Sequence, residues 1–341
     1  MVKKSSIVSK KQVSIDDVAI RAKVSITTVS RVINNVPTVS AKNRAKVEEA
    51  IAHFKFKPNV SAQRLAKGVN NSIGLVMPGY PGIFYSFYAV ELIRGVGHGC
   101  ESLRLDMVFH ITNGFNPINT NNVGGVIFAD IIENRKQVEA AIAMGIPCMI
   151  INNNADDLDA SYIAIDNVIG GEIAAEYLVS LRHKKVAIVT GNLNTQAGLD
   201  RLSGFKNYFS DNKLSLPPEY IYVGDYSRRS ARMAAEQFFE LEERPTAVFA
   251  CSDDMALEII TVAMEKGLKI PEDLSVVGFD DNPACLYGAV ALTSIRQPLF
   301  EMAADSVHYL YALLTGKEKE NRQLLLSPEL VVRDSCMPCN S

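Results

Sequence analysis

Asp280 and Asp281 are the first candidates for chemistry in this chain. A hydrolase would use such a pair as general acid and base. Adjacent residues in a strand point to opposite faces, however, so the two cannot serve one substrate bond. The sequence holds no Gly-rich phosphate loop, no nucleophile elbow and no metal-spaced cluster among its five histidines. An enzyme is not expected, nor is a cofactor or a metal. The same residue types suit binding instead, because carboxylates accept hydroxyl protons and an aromatic ring covers an apolar face. Asp166 and Asp280 each close an apolar run, Phe84 and Tyr85 follow another, and Gln297 follows Leu292-Thr293-Ser294-Ile295-Arg296. As structural alternatives, Asp166 and Asp253 could cap helices, and the aromatics of 83–88 could form a subunit contact.

Buried strands alternating with amphipathic helices must position these residues. Apolar runs at 72–78, 105–111, 125–129, 147–151, 162–165, 185–190, 220–223, 247–251 and 274–279 predict strands. Between several of them the spacing predicts helices over 87–103, 134–144, 170–181, 200–212, 230–241 and 255–266, with another over 297–315. Such alternation implies parallel sheets covered on both faces, with ligands beyond the carboxyl ends of the strands. Crossings between two such units are expected near 165–166, 293–297 and 326–328.

The first 68 residues read differently. They carry 14 Lys and Arg against 4 Asp and Glu, whereas the other 273 carry 21 against 34. A basic head on an acidic body is the footprint of a chain that meets phosphate at one end. Ile15, Val18 and Ala19 have helical spacing, Lys23-Val24-Ser25 breaks it, and Ser25 can cap a second helix over 26–34. Val29, Val32 and Ile33 face inward, leaving Ile26, Thr27, Thr28, Ser30 and Arg31 outward. These short polar, apolar and cationic groups suit base edges, thymine methyls and phosphates. Ser40 caps a third helix to about His53, Pro58 stops it, Asn59 can cap a short fourth, and Gly68 ends that. No apolar run is long enough to span a bilayer, and the basic N-terminus lacks the apolar segment of a secretory signal. Six scattered cysteines fit reduced thiols in a cytoplasm. Cys336-x-x-Cys339 is read as an exposed tail rather than a metal or redox pair.

The motifs DVA (17–19), VS-x-x-TVSRV-x-N (24–34), VS-x-x-x-R-x-x-V (39–47) and PN-x-x-A-x-x-L (58–65) resemble the DNA-binding head of the lactose/galactose (LacI/GalR) repressor family. The alternating body resembles the two-lobed periplasmic-binding-protein fold as that family uses it. The resemblance therefore implies an all-α helix-turn-helix head plus an α/β body of two doubly wound parallel-sheet subdomains. Its parts would be a DNA-binding domain over 1–58, a hinge helix over 59–70 and an effector-binding and dimerisation domain over 71–335. Within the last, one subdomain takes about 71–165 and 296–326, and the other about 166–295 and 327–335.

Operator contacts are then expected from Ser14, Ser25, Ile26, Thr27, Thr28, Ser30, Arg31, Asn34, Ser40, Asn59, Ala62, Gln63 and Leu65, with Arg44 a further phosphate contact. Leu65, sharing a face with Ala62, would wedge into the minor groove. In the body, Arg201 matches the family's Arg-x-x-Gly-Phe effector motif, and Ser252 stands where the family often has Asn. With Phe84, Tyr85, Asp166, Asp280 and Gln297 they make a set suited to a polyol. The expected protein is a cytoplasmic transcriptional repressor, a homodimer or a tetramer built from it. Its partners are double-stranded operator DNA and a small-molecule effector, a sugar before a purine or nucleoside. Rival readings are a sugar-binding protein that does not act on DNA and an enzyme on the same fold. Two departures from the family pattern stand out: a long aromatic loop over 79–88, and an Asn/Gly/Pro-rich loop over 113–124 where a helix is expected.

Overall fold

The computed structural model describes residues 14–33, 36, 38–54, 71–79, 83–113, 118–120, 123–129, 131 and 134–339. The chain divides into two units, residues 1–70 and 71–341. The predicted hinge helix, with Asn59, Ala62, Gln63 and Leu65, lies outside the described residues, as does Asn34.

In the first unit, α1 (Ile15–Ala22) begins at a reciprocal cap. The Ser14 hydroxyl accepts from the Asp17 amide (3.2 Å), and the Ser14 amide donates to the Asp17 carboxylate (2.8 Å). Lys23 ends α1 in the left-handed region (φ 54°), turning the chain into α2 (Ile26–Ile33). The third helix, α3 (Ala41–Phe54), completes a core of Val18, Ala19, Ala22, Val29, Val32, Val47 and Ala50.

Two six-stranded sheets build the second unit. One holds β1 (Ser72–Pro78), β2 (Asp106–Thr112), β3 (Gly125–Phe128), β4 (Cys148–Ile151), β5 (Ser161–Ile165) and β11 (Gln323–Leu326), ordered β11-β5-β4-β3-β1-β2. The other holds β6 (Val186–Val189), β7 (Ile221–Tyr222), β8 (Ala247–Ala250), β9 (Ser275–Asp280), β10 (Thr293–Arg296) and β12 (Glu329–Val331), ordered β12-β10-β9-β8-β6-β7. Every pairing is parallel except β10 with β12. Around the first sheet lie α4 (Phe87–Ser102), α5 (Arg135–Ala143) and α10 (Leu299–Leu314); around the second lie α6 (Asn167–Ser180), α7 (Gln196–Asp211), α8 (Arg228–Glu240) and α9 (Asp253–Glu265). Strand residues bury both ways: Ile127, Met149 and Ile151 join one core with α4 and α10, while Val126, Phe128 and Ile150 join another with Val138 and Ala141 of α5. Such two-sided burial is why the strands read as unbroken apolar runs.

The chain passes between the sheets three times, from β5 into α6, from β10 into α10 and from β11 into β12. At the first passage the Asp166 amide donates to the Leu326 carbonyl (2.8 Å), stitching two of the passages together. Between β2 and β3 the described residues carry no helix, and Gly124 donates to Ser72 (2.8 Å).

Two expectations need correction. α6 and α7 begin three and four residues earlier than the spacing predicts, directly after the capping residues Asp166 and Thr195, with Gly170, Gly171 and Gly198 inside the helices. They pack there: a Cβ on Gly171 would stand 2.1 Å from the Arg201 carbonyl, and one on Gly204 1.9 Å from the Val168 carbonyl. The Cys336 tail is not a loose exposed end. Ser335 is buried and donates its hydroxyl to Val276 (2.6 Å), Cys336 bonds the same carbonyl (3.2 Å), and the Cys339 amide reaches Leu181 (2.8 Å). His183 clamps this strap through Nε2, which donates to the Met337 carbonyl (3.1 Å). Burial holds the imidazole below its ordinary pKa.

Candidate functional site

On the head, Val29 and Val32 anchor α2 inward, so Ile26 (49% exposed), Thr27 and Arg31 stand out to solvent, with Thr28 and Ser30 half-buried. Ser25 is occupied as the cap of α2: its hydroxyl accepts from the Thr28 amide (3.1 Å) and shares a bond with the Thr28 hydroxyl (2.9 Å). Ser40 caps α3 through the Asn43 amide (3.4 Å), and Arg44 donates to the Val36 carbonyl (2.9 Å). Ser14, Ser25, Ser40 and Arg44 therefore set the geometry of the three helices, whatever else they touch. Ile26, Thr27 and Arg31 are left exposed on α2, and a helix of that width fits a major groove.

In the body, four of the seven predicted ligand residues converge at the carboxyl ends of the second sheet. Arg201 is 3% exposed, a cationic side chain taken from water and held by specific partners. Its Nε donates to Asn167 Oδ1 (2.8 Å), Nη1 donates to the Cys251 carbonyl (2.7 Å), and its guanidinium lies 3.5 Å over the Phe279 ring. The Gly171 and Gly204 contacts bring α6 and α7 close enough for Arg201 to reach Asn167. That close approach is the physical content of the Arg-x-x-Gly-Phe motif.

Asp280 ends β9 at φ 118°, where a side chain is strained, and Asp281 follows at φ 55°. Burial pushes the Asp280 carboxyl up to about 7, against the opposing pull of Arg201 and the Gln297 amide. Gln297, 5% exposed, donates Nε2 to Asp280, and its Oε1 is buried without a partner. Asp281 turns away to Arg296 (2.7 Å) and Arg333, so the neighbouring acids do part. Ser252 is spent as the cap of α9, accepting from Met255 (3.4 Å). The capping alternative for Asp253 therefore fails. Asp253 is fully buried, bonded by Ser294 (2.6 Å) and the Asn282 amide (2.7 Å), and burial, with Asp280 beside it, raises its carboxyl well above the ordinary range.

Asp166 is half-buried and caps α6 through Ile169 (3.0 Å), as its structural alternative held. It stays electrostatically close to the cluster, since burial and then Asp166 raise the carboxyl of Asp200, next to Arg201. Phe84 and Tyr85 depart from the group. They sit on a short 3-10 turn of the first lobe, 56% and 92% exposed, and Phe84 meets Phe109 (6.1 Å between centroids). No described contact joins them to Arg201 or Asp280. Tyr226 is the cleft residue that sequence reasoning missed. At φ 67° it lies against Gly191, and its hydroxyl reaches Thr195 (3.4 Å). Burial raises its phenol, and the charges of Arg201 and Asp280 also act on it. Its position just beyond β7 was the available signal. Asn167 and Phe279, which hold Arg201, were also not singled out by the sequence.

A three-helix reader and a two-lobed body with a polar cluster at its strand ends define a DNA-binding regulator of the ligand-responsive kind. The comparisons agree. The model for bacterial regulatory proteins of the lacI family matches residues 14–59, and that for the periplasmic binding protein-like domain matches 175–336. HTH-type transcriptional regulator DegA of Bacillus subtilis (strain 168) is 33% identical across 96% of this chain and 99% of its own length. The lac repressor dimer bound to operator and the anti-inducer ONPF is similar with a TM-score of 0.81 at 27% identity, covering 96% of this chain and 100% of that one. A transcriptional regulator CelR–cellobiose complex gives 0.69 at 25%, covering 95% and 100%. This chain belongs to the lacI family of bacterial regulatory proteins. Its relatives are transcriptional regulators, not enzymes. Among the described residues no helix is long and apolar enough to cross a membrane.

Proposed function

We propose that this protein is a repressor that binds a pseudo-palindromic operator as a homodimer and changes its operator affinity when a sugar occupies the body cleft. The observation that carries the ligand class is the cluster of Arg201, Asp280 and Gln297. A buried cation on an aromatic ring, a carboxylate and an amide oxygen with no partner together offer both donors and acceptors to a ring of hydroxyls. The similarity to a regulator solved with cellobiose supports the sugar, and the similarity to a dimer solved on its operator supports the assembly. A purine is the second reading, favoured by the side-by-side carboxylate and amide of Asp280 and Gln297, which also suit a base edge. Ile26, Thr27 and Arg31 read the operator half-site, Leu65 wedges the minor groove between half-sites, and ligand and operator are linked by one reciprocal coupling energy.

Selection of duplexes from a random pool by the full chain, followed by melting in panels of sugars and nucleobases, tests the reading. The expected result is a two-fold symmetric site and a raised Tm with sugars, because a cleft ligand stabilises by mass action. No enriched duplex sequence would remove the repressor. Stabilisation by bases alone would move the ligand to the second reading.

A further inference from the structure

One set of bonds joins the two lobes of the body away from the chain passages. Asn154 follows β4 of the first lobe, and Gln196 opens α7 of the second. The Asn154 amide donates to Gln196 Oε1 (2.9 Å), while Gln196 Nε2 donates to the Asn154 side-chain oxygen and to its carbonyl (3.4 Å). The Gln196 side chain thus both accepts and donates, while Asn154 donates through its backbone amide and accepts through its side-chain oxygen and its carbonyl.

Each partner is held from behind. On the first lobe, Asn152 takes the left-handed conformation (φ 63°), its amide bonds Ile163 (2.9 Å), and Asn153 accepts from Ile131 (3.3 Å). On the second, Thr195 caps α7 through Gly198 (3.1 Å), donates to the Asn192 carbonyl (2.6 Å) and meets the Tyr226 hydroxyl (3.4 Å). Gln196 is therefore one residue from a contact that reaches Tyr226, which in turn feels Arg201 and Asp280. Gln196 and Arg201 stand on the same helix, α7, five residues apart.

We propose that Asn154 and Gln196 form a clasp that keeps the two lobes closed without ligand, so that this amide pair sets the resting balance between open and closed body. The clasp is uncharged, and its closure does not depend on which small molecule the cleft takes. Loss of one neutral pair of this kind shifts such a balance by about tenfold. That is enough to populate an open state without unfolding either lobe.

Hydrogen exchange of the ligand-free full chain, read by mass spectrometry, tests the clasp. In the unaltered protein the Asn154 amide is expected to exchange slowly. Gln196→Ala should raise its exchange and also that of backbone lining the cleft, 190–195 and 251–252, with strand centres such as 247–250 unchanged. Gln196→Glu keeps the acceptor for the Asn154 amide but loses the donor, and should fall between the two. Faster exchange at Asn154 alone, or a fast Asn154 amide in the unaltered protein, would overturn the clasp. A rise across all strands would report unfolding of a lobe and overturn it as well.

Discussion

Asp280→Asn replaces a half-buried carboxyl that already accepts from Gln297 with an amide of the same shape. In the folded chain this carboxyl releases its proton at about 7, against 3.8 ordinarily, chiefly because burial disfavours the charge. Between those values the folded chain holds a proton that the unfolded chain has lost. Stability therefore falls as pH rises through this window, by at most about 1.4 kcal/mol per pH unit. Asn carries no such proton. Relative to the unaltered protein the variant should gain roughly 2–3 kcal/mol between pH 5 and pH 8, and the easing of charge on the neighbouring Asp253 acts in the same direction. His183 contributes a slope of opposite sign, because a depressed imidazole loses stability as pH falls, but it is common to both proteins and cancels in the difference. Urea unfolding of both at pH 5, 6, 7 and 8, at one protein concentration and without ligand, gives the measurement. Parallel pH profiles would refute the placement of Asp280 as a strained, desolvated carboxyl.

Gly204→Ala puts a methyl group 1.9 Å from the Val168 carbonyl, so α6 and α7 must part. We expect a loss of about 1–3 kcal/mol in denaturant unfolding and a weaker ligand response, because Arg201 moves away from Asn167; an unchanged midpoint would show that the helices can yield. Arg31→Ala should weaken specific and non-specific duplex binding alike and lower the salt slope by about one, whereas Leu65→Ala should weaken specific binding more; equal losses from Leu65→Ala in a salt-controlled titration would count against the wedge.

Much of this architecture could be read from residue spacing. The helices of the head follow from apolar positions three and four apart and from Ser14, Ser25 and Ser40 as caps. The strands follow from burial on both faces. Spacing places the starts of α6 and α7 three and four residues late, past the points where the side chains of Asp166 and Thr195 cap them. At the site, the type and position of Arg201 were legible, but what holds it was not, because Asn167 and Phe279 acquire their roles only when α6, α7 and β9 meet. The surroundings of Phe84 and Tyr85 were also not legible: sequence places them after a strand, and only the fold shows them exposed on the first lobe, apart from the Arg201 cluster. The Asn154–Gln196 pair was invisible, since two loop-end amides carry no periodicity.

The threefold passage of the chain also bears on how the protein is born. The first lobe lacks α10 and β11, and the second lacks β12 and the strap at Ser335, until residues 299–339 have left the ribosome. A nascent chain can therefore complete its three-helix reader before either half of its sensor, since both halves wait for residues 299–339. Synthesis that stalls before α10 would release a reader whose two sensor lobes are both unfinished.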